Sequence, residues 1–296
     1  MRTSTWTRGA VLALVLAGSG AGLACQTRTS PPAAAHRTQP GGRMSDLAQQ
    51  VRAKDPSATL LAAELGPAAA PTLVPLSRDA DEEVREIALL CLGETGGAGA
   101  VRAMLARLND SAPMVRSAAL KGLEQKAGAG DVPALLHGVE ATDDAGARRY
   151  LALITGRLGS AADLPTLQRV CSRFTDAETG EGCLTALAQL GDPASRTEFA
   201  RRLAGARDRE LARFLEYAER IRAAWLVPAL VPLLSNLTPV RWIGVDGLPG
   251  PENLRAADIA VNLIAGITGR QFSFPLSPRV NYSPEQLEEV RRTVGG

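Results

Sequence analysis

The chain has 296 residues, 45% of them hydrophobic and only 4% aromatic, a length that suits one or two domains or an extended repeat array. The scarcity of large rings favours helices packed through small residues over one bulky globular core. Thirty-three basic side chains stand against 31 acidic ones, which excludes the broad basic field that draws proteins to nucleic acid.

In chain order, the first segment is an export signal. Arg2 and Arg8 precede an apolar run over residues 10–17, then small residues and the stretch Ala21-Gly22-Leu23-Ala24-Cys25. Charged, apolar and small-residue regions in that order read as a secretory signal over residues 1–24. The apolar run is too short for a membrane-spanning helix. The residues before Cys25 resemble the lipobox of bacterial lipoproteins, although Gly22 stands where that family prefers Leu. The resemblance implies that Cys25 becomes the lipidated N-terminus, and Gln26 after it leans towards the outer membrane. The other reading is plain cleavage nearby, with an incidental cysteine. The signal holds two arginines and no acid, so 31 basic and 31 acidic residues remain from Cys25 onward.

Residues 25–43 are rich in Thr, Pro, Ala and Gly and offer almost nothing to bury, so they read as a disordered tether. As a flexible chain, about 18 residues reach roughly 20–25 Å on average.

The strongest signal is self-similarity at a spacing of 31. Asp79, Val84, Arg85, Ala88, Leu89, Leu92, Val101, Leu105 and Leu108 recur as Asp110, Val115, Arg116, Ala119, Leu120, Leu123, Val132, Leu136 and Val139. Val84, Ile87, Ala88, Cys91 and Leu92 follow the spacing of one helix face, and Val132, Leu135, Leu136 and Val139 that of a second. Glycine-containing turns join the two, with Leu65-Gly66, Leu92-Gly93, Leu158-Gly159 and Leu190-Gly191 expected to end first helices. Pro71, Pro133, Pro165 and Pro228 mark the starts of second helices, where no backbone N–H is needed. Asp110 or Ser111 is the expected cap of the helix that begins with Pro113. A stacked all-α solenoid over residues 44–235 is expected, with five helix pairs and a partial sixth after them.

The run Asp-x₄-Val-Arg-x₂-Ala-x₃-Leu-Gly from Asp79, with its near copy from Asp110, resembles the HEAT repeat, above all the bacterial form related to phycobilin lyase subunits. The resemblance implies an Asp–Arg ladder through Asp79, Arg85, Asp110 and Arg116, and second helices lining a concave side. Further on, Tyr150-Leu151 and Gly182-Cys183 stand at the Val-Arg places, so no ladder is expected there.

Residues 236–296 depart from the rhythm. A long Pro/Gly-containing loop carries Trp242, followed by an apolar helix ending at Thr268-Gly269. Ser283-Pro284-Glu285-Gln286 then offers a capping box to a short charged helix. These residues are expected to cap the solenoid.

Recognisable chemistry is sparse. His36 and His137 are the only histidines, and no His-Glu pair occurs of the kind found in deoxyhypusine hydroxylases, metal enzymes built on this repeat. Neither a Gly-x-Ser-x-Gly elbow nor a phosphate loop is present. No catalytic residue, metal or cofactor is therefore expected, and the chain is read as no enzyme. Cys171 and Cys183 fall at neighbouring helix ends, where they form a disulfide if their Cα atoms come within roughly 7 Å, or else remain two thiols. Arg107, His137, Arg169, Arg201 and Arg202 recur at similar places on second helices. They make either an anion-binding stripe on or beside the concave surface or a solvated face paired with acids such as Glu140 and Glu198. Trp242 is the second candidate contact. The function expected is a non-catalytic, membrane-tethered protein-interaction scaffold of the bacterial envelope, facing the periplasm, with no nucleic-acid role. The alternatives are a helical-repeat enzyme of lyase or DNA-glycosylase type, or a binder of anionic wall polymer or lipid through the stripe.

Overall fold

A computed structural model describes residues 40–244 and 251–295; the signal, Cys25, His36 and most of the tether lie outside them. Helix α1 (Pro40–Arg52) takes in the last four residues of the expected tether. Six helix pairs follow before Ser235, one more than expected. They are α2 (Ala58–Leu65) with α3 (Ala70–Leu76), α4 (Glu82–Thr95) with α5 (Ala98–Leu105), and α6 (Pro113–Lys126) with α7 (Val132–Ala141). The series continues with α8 (Ala145–Leu158) and α9 (Leu164–Cys171), α10 (Ala177–Leu190) and α11 (Pro193–Gly205), and α12 (Asp208–Ile221) and α13 (Val227–Leu230). The fold is an all-α solenoid. Its apolar positions join into two successive clusters, one reaching from Leu47 to Leu190 and the other from Leu153 to Val290.

Local chemistry explains most helix ends. Asp81, Asp144, Asp176 and Asp192 cap α4, α8, α10 and α11 by accepting a backbone N–H two or three residues on, which satisfies donors that the helix itself leaves unpaired. The N-cap of α6 is Ala112, which has no side chain to serve, and Pro113 follows in the first position. The expected cap, Asp110, is engaged elsewhere. Leu92-Gly93 does not end a helix: α4 runs on to Thr95 and stops at Gly96, whose φ of 73° is costly for a residue with a Cβ.

Gly93 serves packing instead. A Cβ there would lie 3.1 Å from the Cα of Gly122 on α6, and one on Gly156 would lie 2.7 Å from the Cα of Ala186 on α10. Gly93 and Gly156 hold the same place in α4 and α8, and Gly122 and Ala186 the same place in α6 and α10. First helices thus pair closely as α4 with α6 and α8 with α10, while α6 and α8 lie farther apart.

The C-terminal residues contain the chain's departure from helix. β1 (Pro239–Trp242) and β2 (Asn253–Arg255) form an antiparallel ribbon where a plain loop was expected. α14 (Ala256–Thr268) then stacks on α12, and α15 (Pro284–Gly295) closes the end against residues 231–235. Ser283 and Gln286 make the reciprocal capping bonds: the Ser283 N–H donates to Gln286 Oε1 at 2.8 Å, and the Gln286 N–H to Ser283 Oγ at 3.4 Å. Fully buried Asp258 accepts from the Arg255 guanidinium at 2.7 and 2.9 Å and from the Tyr282 N–H at 2.9 Å. These bonds tie the segment before α15 to α14.

Candidate interaction surfaces

The arginine at the fourth position of successive first helices builds the seam between repeats. Arg85 of α4 donates to the backbone oxygens of Asp79 and Ala80 at 2.9 and 3.0 Å, and to both carboxylate oxygens of Asp110 in the next repeat at 2.8 and 3.0 Å. Arg116 of α6 makes the same two backbone bonds, to Asp110 and Ser111, at 2.7 and 3.1 Å. Arg148 of α8 repeats them to Thr142 and Asp143, and crosses to Asp176 at 3.1 Å and Thr179 Oγ1 at 2.9 Å. The ladder is therefore interrupted at Arg116, which makes no bond to the next repeat, and resumes at Arg148, where none was expected. The repeat lengthens from 31 to 32 residues at α8, so Ala147-Arg148, not Tyr150-Leu151, holds the Val-Arg place. Counting from helix starts rather than at fixed spacing would have found it. Burial alone would raise the Asp110 carboxyl, but the Arg85 bonds, the Ala112 N–H and the nearby positive charge hold it below the usual carboxylate range.

A second set of polar contacts joins the C-terminal ends of first helices. Glu124 on α6 accepts from Arg157 of α8 through its backbone oxygen at 2.7 Å, and from Arg220 of α12 through Oε1 at 2.8 Å. Glu124 and Arg220 are three repeats apart. In a curved stack, distant repeats approach only on the inner side, so the array curls towards the ends of its first helices. In the N-terminal halves of first helices, Glu181 of α10 binds Arg213 of α12 at 2.6 and 2.8 Å, and Arg149 binds Glu178 at 2.9 Å. Tyr217 lies buried beside Glu181, and burial pushes its hydroxyl up to about 12.

The residues of the expected arginine stripe sit on second helices or the turns after them. Arg169 and Arg173 share Glu140 at 3.2 and 2.7 Å, and Arg201 and Arg202 share Glu198 at 2.7 and 2.8 Å. His137 is exposed, and Arg107 is half-buried, 3.8 Å from Asp110. The bonds from Arg201 and then Arg202 hold Glu198 down to about 2.

Trp242 is exposed at the end of β1, with its ring against Gly244. Trp225 packs edge-on to Phe199 at 5.9 Å and under the Arg196 guanidinium at 5.6 Å. Cys171 and Cys183 are joined as a disulfide between the end of α9 and α10, with Cα atoms 5.9 Å apart. Cys91 is a buried free thiol, which burial pushes up to about 12. Among the described residues, no group of three or more His, Cys, Asp and Glu is placed to hold a metal ion.

Comparison with known proteins identifies the repeats. The family model of HEAT repeats matches residues 50–124 and 69–154, so these residues are HEAT repeats. No curated protein matches the chain. Among solved structures, the complex of CpcE and CpcF of phycocyanin lyase from Nostoc sp. PCC7120 is similar at 17% identity and a TM-score of 0.45, covering 91% of this chain and 99% of that one. An engineered protein is similar at 16% identity and a TM-score of 0.38, covering 88% of this chain and 69% of that one. The likeness to a lyase complex overturns the expectation that the chain is no enzyme: lack of a familiar motif excludes no activity in a helical-repeat array. At that identity and score, the likeness transfers no substrate or site to this chain.

Proposed function

We propose that the chain is a membrane-tethered scaffold of the bacterial cell envelope, its repeats held out on the tether to engage protein partners. The observation that carries this reading is the Cys171–Cys183 disulfide, a bond that persists in oxidising compartments and is rare in the cytosol. It agrees with the signal-like N-terminus and the lipobox-like approach to Cys25, which were read from different residues. Stacked repeats supply extended surface for partners, and here that surface includes the edge bordered by Glu124, Arg157 and Arg220 and the exposed side of the second helices.

The test has two parts. Growth with a radiolabelled lipid precursor should mark the wild-type chain and leave Cys25→Ser unmarked; equal labelling removes the anchor. Crosslinking in intact cells, followed by mass spectrometry, should recover envelope proteins joined to residues of the repeats. Recovery of cytosolic proteins alone, with both thiols of Cys171 and Cys183 free, would sink the envelope reading.

A further inference from the structure

Charge is divided between the two layers of the array. The second helices α5, α7, α9 and α11 carry Arg102, Arg169, Arg196, Arg201 and Arg202 against two carboxylates, Glu140 and Glu198. The first helices from α4 to α12 balance ten basic residues with eleven acidic ones. On the second-helix face each glutamate is shared by two guanidiniums: Glu140 by Arg169 and Arg173, and Glu198 by Arg201 and Arg202. One positive charge is left over at each, and exposed His137 stands in the same row.

We propose that this face, over α7, α9 and α11, docks on the anionic headgroups of a lipid leaflet. Arg169 and Arg201 point well into solvent, with side chains 64% and 70% exposed, so their bonds to glutamate cost little to exchange for phosphate. Guanidinium groups bind phosphate oxygens in pairs, which suits such an exchange. Within the row α7 packs beside α9, at the roughly 10 Å typical of neighbouring helices. Exposed charges spread over separate helices match a plane of headgroups better than a single extended acidic peptide. The inference builds on the tethered reading, since a tether of roughly 20–25 Å keeps the face within reach of a membrane; its test needs no anchor.

The test uses the chain carrying Cys25→Ser, recovered from cells, and vesicles of phosphatidylcholine with or without phosphatidylglycerol. Co-sedimentation should be stronger with phosphatidylglycerol and fall as salt is raised. Arg169→Glu combined with Arg201→Glu should weaken that binding by roughly tenfold or more, while Arg209→Glu on α12 leaves it unchanged. The milder pair Arg169→Gln and Arg201→Gln should give a smaller loss and serves if the reversal variant misfolds. Equal binding to both vesicle types overturns the proposal, as does wild-type binding by the folded double variant. So does capture of polyglutamate through these arginines without any binding to vesicles. Loss of Cys25 labelling would remove the anchor and leave this result standing on its own.

Discussion

Arg85 and Arg116 occupy the same place in consecutive repeats, yet their surroundings give them different weight. Arg85 reaches the buried carboxylate of Asp110 across the repeat boundary, whereas Arg116 bonds only to backbone oxygens of its own repeat. Arg85→Ala should cost about 3 kcal/mol, because it strands a buried charge; Arg116→Ala should cost about 1 kcal/mol. Denaturant midpoints of the two variants would measure the contrast, and equal shifts would refute it. The carboxylates also set an acid limit. Asp110, Asp176 and Asp192 are held below their ordinary values, Asp110 and Asp176 against burial by their bonds, Asp192 chiefly by its bonds to Ser195. A lowered folded value gives stability that is complete above the unfolded pKa and is lost as pH falls through the folded one. The melting temperature should therefore lose this contribution below about pH 4, the ordinary carboxylate range, and Asp110→Asn should blunt the fall. The repeat resemblance named Asp79, Arg85, Asp110 and Arg116 as ladder residues, and of these only Arg85 and Asp110 bond across repeats. It missed Arg148 because one inserted residue shifts the register, a change that hydrogen bonding reveals and fixed-spacing comparison hides.

At the scale of the element, two glycines on α10 separate propensity from packing. Gly180 has open space where a Cβ would go, whereas a Cβ on Gly182 would lie 2.7 Å from the backbone oxygen of Arg149. Gly180→Ala should stabilise by up to about 1 kcal/mol through helix propensity. Gly182→Ala should destabilise by about 1–3 kcal/mol, since backbone cannot give way as a side chain can. Thermal melts of the two variants should move in opposite directions. The disulfide from α9 to α10 spans a sequence separation of 12 residues, and replacing Cys183 by Ser should cost about 3 kcal/mol; reductant should then have no further effect. The capping box before α15 could be read from Ser283 and Gln286 because its chemistry is local. The glycine contacts could not, because Gly93 resembles a helix stop until α6 is placed against it.

For the molecule as a whole, curvature decides which residues share a surface. The Glu124–Arg220 pair draws α12 back towards α6, and Arg220→Glu should loosen that closure. Small-angle scattering should report a larger radius of gyration with helix content unchanged by circular dichroism; an identical scattering profile would show that core packing alone sets the curl. Repeat period, helix faces and proline-marked starts are local patterns, and the sequence by itself determined them. The number of pairs before Ser235, the ribbon of β1 and β2, the Asp258 network and the direction of curl were decided by tertiary structure. Each depends on how closely neighbouring helices approach, and that distance is set by side chains facing one another across repeats, which no spacing along one chain encodes.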